Sequence, residues 1–278
     1  MGTAKATLEW HGSTLLQRTV GITVRAVDGP VFVVRAPGQQ LPPLPGRVEV
    51  VHDEVAGRGP LQGIATGLAA AAASAAVAAV CAVDLPLLHP AFVRRVLREV
   101  QGDAGLEAAL PVARGHVQPL AAAYRTVLAP RVAELVDAGT LRAQTLFERC
   151  RAQTLDESTL LADRTLAAAD PRLESLLDVN TPAEYEEARR RPAPSVRVEC
   201  FGVLATRDAL KPWTLPAATV GAAATAVGLT FDRSVVAVVE EAGAASHPTS
   251  DPDLPLVRGD AVAFLPAGEH CRVDLNLS

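Results

Sequence analysis

Residues 77–86 read Val-Ala-Ala-Val-Cys-Ala-Val-Asp-Leu-Pro, an apolar run that ends in one acidic side chain and a proline. Short runs of this kind with β-branched residues are typical of buried parallel strands. Helical spacing of apolar residues precedes the run at residues 63–76 and follows it at residues 90–100. The segment therefore predicts a buried strand between two helices, with Asp84 at the carboxyl end of that strand, where open α/β sheets bind their ligands.

Strand and helix patterns alternate in the same way over the first two thirds of the chain. Thr181, Pro182 and Glu184 have the residue types and spacing of a capping box, which predicts that a last helix begins there. Repeated strand-then-helix units predict an α/β fold, a Rossmann-like three-layer domain whose mainly parallel sheet is covered by helices on both faces. The other predicted strands cover residues 31–34, 48–51 and 108–112, and the other predicted helices cover residues 15–26 and 120–138.

A change in composition marks a domain boundary. Residues 189–195 read Arg-Arg-Arg-Pro-Ala-Pro-Ser, and a charge run with two prolines ends a helix and does not pack in a core. We therefore predict a first domain over residues 1–188, a linker at residues 189–195 and a second domain over residues 196–278. The second part has the pattern of two strands, a helix capped by Thr219 and further strands, which predicts a small α+β domain.

The composition narrows the possible classes of protein. The 278 residues are 49% hydrophobic and 21% charged, which excludes an intrinsically disordered chain. The formal net charge of −5 gives no reason to expect a nucleic-acid partner. The four cysteines are far apart, without a CxxC pair or a histidine at zinc-ligand spacing. We therefore expect neither a disulfide framework nor a structural zinc, and the pattern fits the reducing cytoplasm.

Residues 64–83 form the most apolar stretch and approach the length of a membrane span. The stretch is mostly alanine, which is only weakly apolar, and it contains Gly67 and Ser74. We therefore predict a buried helix that leads into a buried strand. Residues 1–30 lack the charged, apolar and cleavage regions of a signal peptide. We expect a cytoplasmic protein without a membrane partner.

Four features supply groups suited to a phosphate-bearing ligand. Asp84 is either a Mg²⁺ ligand, because Mg²⁺ takes one or two carboxylates plus substrate phosphates, or a cap of the following helix. Residues 57–63 combine glycines with a helix start, which favours anions but also suits an ordinary turn. Asp178 and Asn180 precede the capped helix at the same edge of the sheet. Lys5, one of only two lysines in the chain, is either a phosphate ligand or a solvated surface residue.

Together these features resemble the molybdenum cofactor guanylyltransferase family within the nucleotidyltransferases. The resemblance covers residues 1 to about 188, and although each motif is short, five motifs in this order and spacing are specific. The matching stretches are Met1-Gly2-x-x-Lys5 with Leu8 and Gly12, Asp53 with Gly59-Pro60-Leu61-x-Gly63, Asp84-Leu85-Pro86-Leu87, Gln118-Pro119-Leu120 with Tyr124, and Asn180-Thr181-Pro182-x-Glu184.

The resemblance implies an enzyme that transfers GMP from GTP to the phosphate of molybdopterin and releases pyrophosphate, with Mg²⁺ as its cofactor. It implies that Asp84 holds the metal and that Lys5 and Asp84 are the catalytic residues; no histidine is expected to take part. A cytidylyltransferase that uses CTP with the same acceptor is an alternative. The residues implied to contact nucleotide or cofactor are Gly2, Lys5, Asp53, Gly59, Pro60 and Asn180.

The sequence departs from the family at its start. Members begin with a short strand and a glycine-rich loop of the form Leu-Ala-Gly-Gly-x-Ser-x-Arg-Met-Gly, of which Met1 and Gly2 would be the last two residues. As written, the chain therefore lacks a central strand and most of the phosphate-binding loop. We expect the coding sequence upstream of Met1 to encode both. The alternative is a shortened, inactive relative that only binds pterin or nucleotide, or that serves as a scaffold.

The second part of the chain resembles the ubiquitin-like, β-grasp small subunit of molybdopterin synthase. The match lies in residues 196–202, 218–220 and 256–266. That family acts as a sulfur carrier through a C-terminal Gly-Gly, whereas residues 274–278 read Asp-Leu-Asn-Leu-Ser. We therefore predict that this domain is not a sulfur carrier and that it has a docking or a regulatory role, with molybdopterin synthase or a molybdoenzyme chaperone as the partner.

Overall fold

The computed structural model describes residues 5–53, 58–140, 143–202, 212–241 and 246–267. The chain divides into two compact units, Met1–Arg191 and Pro192–Ser278. Among the described residues, no helix combines the length and the apolar character that a membrane crossing requires.

The first unit alternates strands and helices, as the sequence pattern predicts. Short 3₁₀ turns are found at Lys5–Thr7, Thr126–Leu128 and Glu174–Leu176. The strands and helices are β1 (Glu9–Trp10), β2 (Ser13–Thr14), α1 (Leu15–Ala26), β3 (Val31–Arg35), β4 (Val48–His52), α2 (Gly59–Ala71), β5 (Val77–Cys81), α3 (Pro90–Gly102), β6 (Ala108–Ala113), β7 (His116–Val117), β8 (Ala121–Arg125), α4 (Ala129–Asp137), α5 (Gln144–Phe147), β9 (Ala152–Leu155), α6 (Glu157–Leu161), α7 (Arg164–Ala169) and α8 (Pro182–Arg189).

The predicted α/β class is confirmed, and the sheet of the first unit lies in two pieces. β3 and β4 pair in parallel, and β6 and β9 pair in parallel. β8 lies between β5 and β6 and is antiparallel to both. The helix predicted over residues 120–138 is therefore wrong in its first half, because Ala121 to Tyr124 form a strand whose four residues are at most 2% exposed. Alanine favours helices in isolation, but pairing on both sides and complete burial outweigh that weak preference.

A cleft of about 880 Å³ lies between the two pieces of the sheet. Residues of β3 and β5 face it from two sides, and residues of α1, α2 and α3 close it above and below. Within the described parts of the chain, β3 pairs with β4 alone and β5 pairs with β8 alone. Each of these strands therefore presents one sheet edge without a partner strand on the side of the cleft.

Helix α2 is the central packing element of the first unit. Its residues Leu61, Ile64 and Leu68 are each at most 1% exposed and pack against β6, β8 and α4. Helix α1 starts with a capping box, because the Thr14 hydroxyl accepts a hydrogen bond from the Gln17 N–H and the Gln17 side chain accepts one from the Thr14 N–H. The cap thus fixes the start of α1, and apolar burial fixes α2 against the sheet and α4.

The second unit contains a five-stranded sheet and one helix. The strand order is β11-β10-β14-β12-β13, in which β10 and β14 are parallel and the remaining pairs are antiparallel; the elements are β10 (Ser195–Cys200), β11 (Trp213–Pro216), α9 (Val220–Ala226), β12 (Val235–Glu240), β13 (His247–Thr249) and β14 (Ala261–Pro266). The Thr219 hydroxyl caps α9 as predicted. Val198, Ala223 and Phe264 are fully buried between helix and sheet.

Candidate functional site

Three side chains that sequence analysis singled out meet just beyond the carboxyl end of β5. The Lys5 ammonium Nζ lies 2.6 Å from Asp84 Oδ2 and 2.8 Å from Asn180 Oδ1. The side chains of Lys5 and Asp84 are 27% and 19% exposed, so this ion pair is partly shielded from water. The three residues come from widely separated parts of the sequence and converge at the sheet edge where α/β proteins bind their ligands.

Lys5 is held by its neighbours in the chain. It begins the 3₁₀ turn Lys5–Thr7, and the next residue, Ala6, is 3% exposed and packs against Leu16 and Val20 of α1. The Leu15 N–H donates to the Leu8 carbonyl oxygen at 2.9 Å, which ties the start of α1 to the segment that follows the turn. The lysine side chain therefore extends from an anchored backbone toward Asp84.

Asp84 is placed by the end of β5 and by the segment after it. The Ala82 N–H donates to the Leu120 carbonyl oxygen at 2.7 Å, so the strand geometry continues past Cys81. Leu85 is 3% exposed and fixes the chain on the far side of Asp84. The cap of α3 is His89, whose Nδ1 accepts a hydrogen bond from the Ala91 N–H. The interpretation of Asp84 as the helix cap is therefore wrong.

The orientation of the Asn180 amide is set by Asp178. Asn180 Nδ2 donates to Asp178 Oδ2 at 2.5 Å, which turns Asn180 Oδ1 toward Lys5. The backbone N–H groups of Asn180 and Thr181 both donate to Glu184 Oε2 at 2.8 Å, and these bonds lower the pKa of the Glu184 carboxyl. The predicted capping box at Thr181 is thus confirmed, and it also fixes the backbone of Asn180.

The other predicted site residues in the first unit line the cleft. Asp53, Gly59 and Pro60 do so together with Asp84. Asp53 Oδ1 accepts a hydrogen bond from the Thr66 hydroxyl at 2.6 Å, which fixes the carboxylate against α2. Gly59 has φ +72° at the start of α2, a left-handed conformation that side chains other than glycine rarely adopt. Gly2 and Gly57 lie outside the described residues.

Three further residues near these ends of the strands were not predicted from the sequence. Arg18, 5% exposed, donates from Nε to the Pro86 carbonyl oxygen at 2.5 Å and so fixes the segment after Asp84. Arg35 Nε donates to His52 Nδ1 at 3.2 Å where β3 and β4 end. Arg35 and His52 directly follow the predicted strands, a position that could have revealed them. Arg18 carries no such signal, because arginine is frequent throughout this chain.

The one cysteine among the described residues that line the cleft, Cys81, is not suited to act as a nucleophile. Burial raises the pKa of its thiol to about 12. A thiol with such a pKa stays protonated near neutral pH, and the thiolate is the nucleophilic form. The polar groups at the end of β5 are therefore better placed for chemistry than the thiol within the strand.

The donor set at the end of β5 fits a hard divalent cation. Asp84 Oδ2 and Asn180 Oδ1 both lie within 2.8 Å of one ammonium nitrogen, so the two oxygens converge on a single cation position. Across the described ranges, no three His, Cys, Asp or Glu side chains are grouped to hold a metal ion. A metal here would therefore take its remaining ligands from water or from phosphate oxygens, as Mg²⁺ commonly does.

Comparison with known proteins gives matches in the first unit. The family described as the MobA-like NTP transferase domain matches residues 1–157. A protein of Mycolicibacterium paratuberculosis named probable molybdenum cofactor guanylyltransferase is 41% identical over 168 residues, which are 59% of this chain and 83% of that protein. The protein of the same name from Mycobacterium tuberculosis H37Rv is 46% identical over 153 residues, 53% of this chain and 73% of its own.

One solved structure shows the same fold. The crystal structure of molybdopterin-guanine dinucleotide biosynthesis protein A from Archaeoglobus fulgidus superimposes with a TM-score of 0.52 and 19% sequence identity. The match covers 68% of this chain and 90% of the archaeal protein. At this level of identity the likeness concerns the fold alone.

Proposed function

The chain belongs to the MobA-like NTP transferase family, and from this premise we propose that it transfers GMP from GTP to molybdopterin in molybdenum cofactor biosynthesis, releasing pyrophosphate. Relatives named for guanylyl transfer are more than 40% identical over most of their own length, which supports the substrates. The observation that carries the proposal is the convergence of Lys5, Asp84 and Asn180 at the carboxyl end of β5.

Each of these residues has a role in the proposed reaction. Asp84 and Asn180 would hold the divalent cation, Mg²⁺ in our proposal, which supplies charge neutralisation at the transferring phosphoryl group. Lys5 would donate hydrogen bonds to nucleotide phosphate oxygens as a compact positive charge. Asp53, Gly59 and Pro60 line the cleft at the start of α2 and would face the nucleoside.

The proposed chemistry is a direct displacement at the α-phosphorus of GTP. A phosphate oxygen of molybdopterin forms the new bond, the bond to the oxygen bridging the α- and β-phosphorus breaks, and pyrophosphate leaves. The attacking phosphate is already negatively charged, so no side chain must remove a proton. Such reactions depend on positioning and charge stabilisation, which fits a site made of one ammonium, one amide and carboxylates.

We further propose that the cleft between β3 and β5 takes up one more strand of the sheet, ahead of Lys5. Among the residues that the structure describes, both strands present toward the cleft an edge without a partner strand, and buried backbone groups need such partners. A strand there would end beside Lys5 and Asp84 and lead into a phosphate-binding loop. In a chain lengthened by the upstream in-frame codons, hydrogen exchange of the backbone amides in β3 and β5 should be slower than in the chain without them. Unchanged exchange rates would contradict the added strand.

We propose that the second unit is a β-grasp domain that docks on molybdopterin synthase or on a molybdoenzyme chaperone. Its strand order, with the first and last strands parallel at the centre, supports this fold. Residues 274–278 lie outside the described residues, so the interpretation of this domain as something other than a sulfur carrier stays a prediction. A pull-down comparing the whole protein with the Phe264→Ala variant, in which the core of the unit is disrupted, tests the docking role.

The function is tested by measuring pyrophosphate release by the lengthened chain with molybdopterin and either GTP or CTP. We expect Mg²⁺-dependent release of pyrophosphate with GTP and little release of pyrophosphate with CTP. Faster release with CTP would identify a cytidylyltransferase instead. Nucleotide binding without pyrophosphate release would identify an inactive binding protein.

A further inference from the structure

The Lys5 ammonium lies where a divalent cation would bind. It contacts Asp84 Oδ2 at 2.6 Å and Asn180 Oδ1 at 2.8 Å, the same two oxygens that converge on one cation position. An ammonium group donates hydrogen bonds and accepts none, so the carboxylate and amide oxygens that would bind a metal ion can contact it instead. One site therefore has two cations that compete for it.

We propose that Lys5 occupies the cation position in the nucleotide-free protein and that the metal enters as a complex with the nucleoside triphosphate. The triphosphate supplies the negative charge to which the displaced ammonium moves. This inference rests on the proposed function and adds an order of binding: metal alone binds weakly, and the metal–nucleotide complex is the form that the site accepts.

The charges around the site support this exchange. Asp84 and Asp178 are the carboxylates next to the cation position, and Lys5 compensates for one of them. The Glu184 carboxylate is already used by the N–H groups of Asn180 and Thr181. With Lys5 in place, an arriving divalent cation meets an occupied position and a site whose negative charge is lower by one.

The small number of protein ligands also indicates that the metal alone binds weakly. Asp84 and Asn180 provide two oxygens, and no larger cluster of metal-binding side chains occurs in the described residues. Mg²⁺ gives up its water reluctantly and is commonly held by one or two carboxylates together with substrate phosphates. Two oxygens shared with an ammonium are therefore a weak site until phosphate oxygens join them.

The first test measures Mn²⁺ binding without nucleotide, from the loss of the free-ion signal in electron paramagnetic resonance. Lys5→Met removes the competing charge and should bind Mn²⁺ about tenfold more tightly than the wild-type chain, because the charged hydrogen bonds to Asp84 and Asn180 are lost. Lys5→Arg keeps the charge, and Lys211→Met removes the only other lysine. Both controls should match the wild type. Equal or weaker Mn²⁺ binding by Lys5→Met overturns the proposal.

The second test measures the exchange in the wild-type chain, and a variant serves only to assign the resonances. Because the chain has two lysines, ¹⁵N-lysine labelling gives two Nζ resonances, and Lys211→Arg assigns them. Mg²⁺ together with GTP should displace the Lys5 resonance and leave that of Lys211 in place, whereas the same concentration of Mg²⁺ without GTP should move neither resonance. An unmoved Lys5 resonance in the protein saturated with Mg²⁺ and GTP, or a Lys5 resonance that Mg²⁺ alone displaces to the same extent, overturns the exchange. If either test fails but the protein still turns over GTP, the exchange is wrong and the proposed function is retained. If the protein neither binds nor turns over GTP, the proposed function itself is wrong.

Discussion

The backbone N–H of Val179 donates a hydrogen bond to the backbone carbonyl oxygen of Asp84 at 3.0 Å. This single bond joins the segment after β5 to the segment before α8, and it sets the register between them. Asn180, the next residue, is thereby placed beside the Asp84 side chain, and both side chains contact Lys5. The site is therefore built on backbone pairing, with side chains that extend from two tied segments.

Asp84→Asn should lower pyrophosphate release by the lengthened chain about 100-fold or more, because the charged oxygen at the proposed metal position is lost. The circular dichroism spectrum should stay unchanged, since Asp84 does not cap α3. Asp137→Asn is the matched control: its carboxylate is 74% exposed and pairs with Arg58 on the surface. Near-normal turnover of Asp84→Asn would contradict the metal role.

Asp178→Ala should lower turnover about tenfold through Asn180, because it removes the charge-assisted hydrogen bond that orients the Asn180 amide. A double-mutant cycle with Asn180→Ala separates this indirect effect from a direct one. In the Asn180→Ala background, Asp178→Ala should change turnover little. If the two losses simply add, Asp178 acts independently of the amide.

Glu184→Gln should lower the free energy of unfolding at pH 7 but should change it little in acid. Backbone N–H groups lower the pKa of Glu184 from its ordinary value of 4.5, so the charged form is favoured in the folded state. Its contribution is present above pH 4.5 and disappears as pH falls through the lower pKa of the folded protein. Urea unfolding at pH 7 and near pH 3 measures this, with Glu187→Gln as the surface control. A destabilisation of equal size at both pH values would contradict the capping contribution.

Phe264→Ala should destabilise the second unit by about 3–5 kcal/mol, since a fully buried ring is lost. Its ring packs edge-on against Phe231, with centroids 5.8 Å apart. GTP binding, measured by calorimetry, should be retained because the candidate site lies in the first unit. Phe92→Ala, which removes a fully buried ring of α3, is the matched variant in that unit and should weaken GTP binding. Loss of GTP binding in Phe264→Ala alone would contradict this division of roles.

Local sequence patterns predicted much of the fold but failed where two structures suit the same residues. The capping box at Thr181 and the cap of α9 at Thr219 were predictable, because capping needs particular side chains at fixed spacing. Ala121 to Tyr124 were predicted as helix, and the structure pairs them between β5 and β6. An alanine run has no periodic pattern, so only its neighbours decide its conformation.

The amino-acid sequence by itself determined the α/β class, the position of Asp84 at the end of a strand and the candidates Lys5 and Asn180. These follow from apolar periodicity, from capping chemistry and from a resemblance carried by short motifs. Only the tertiary structure decided that the Lys5 ammonium lies between Asp84 and Asn180, and that Arg18 holds the Pro86 carbonyl. Such contacts join residues far apart in the chain, and packing of the whole unit, which no local pattern encodes, brings them within hydrogen-bonding distance.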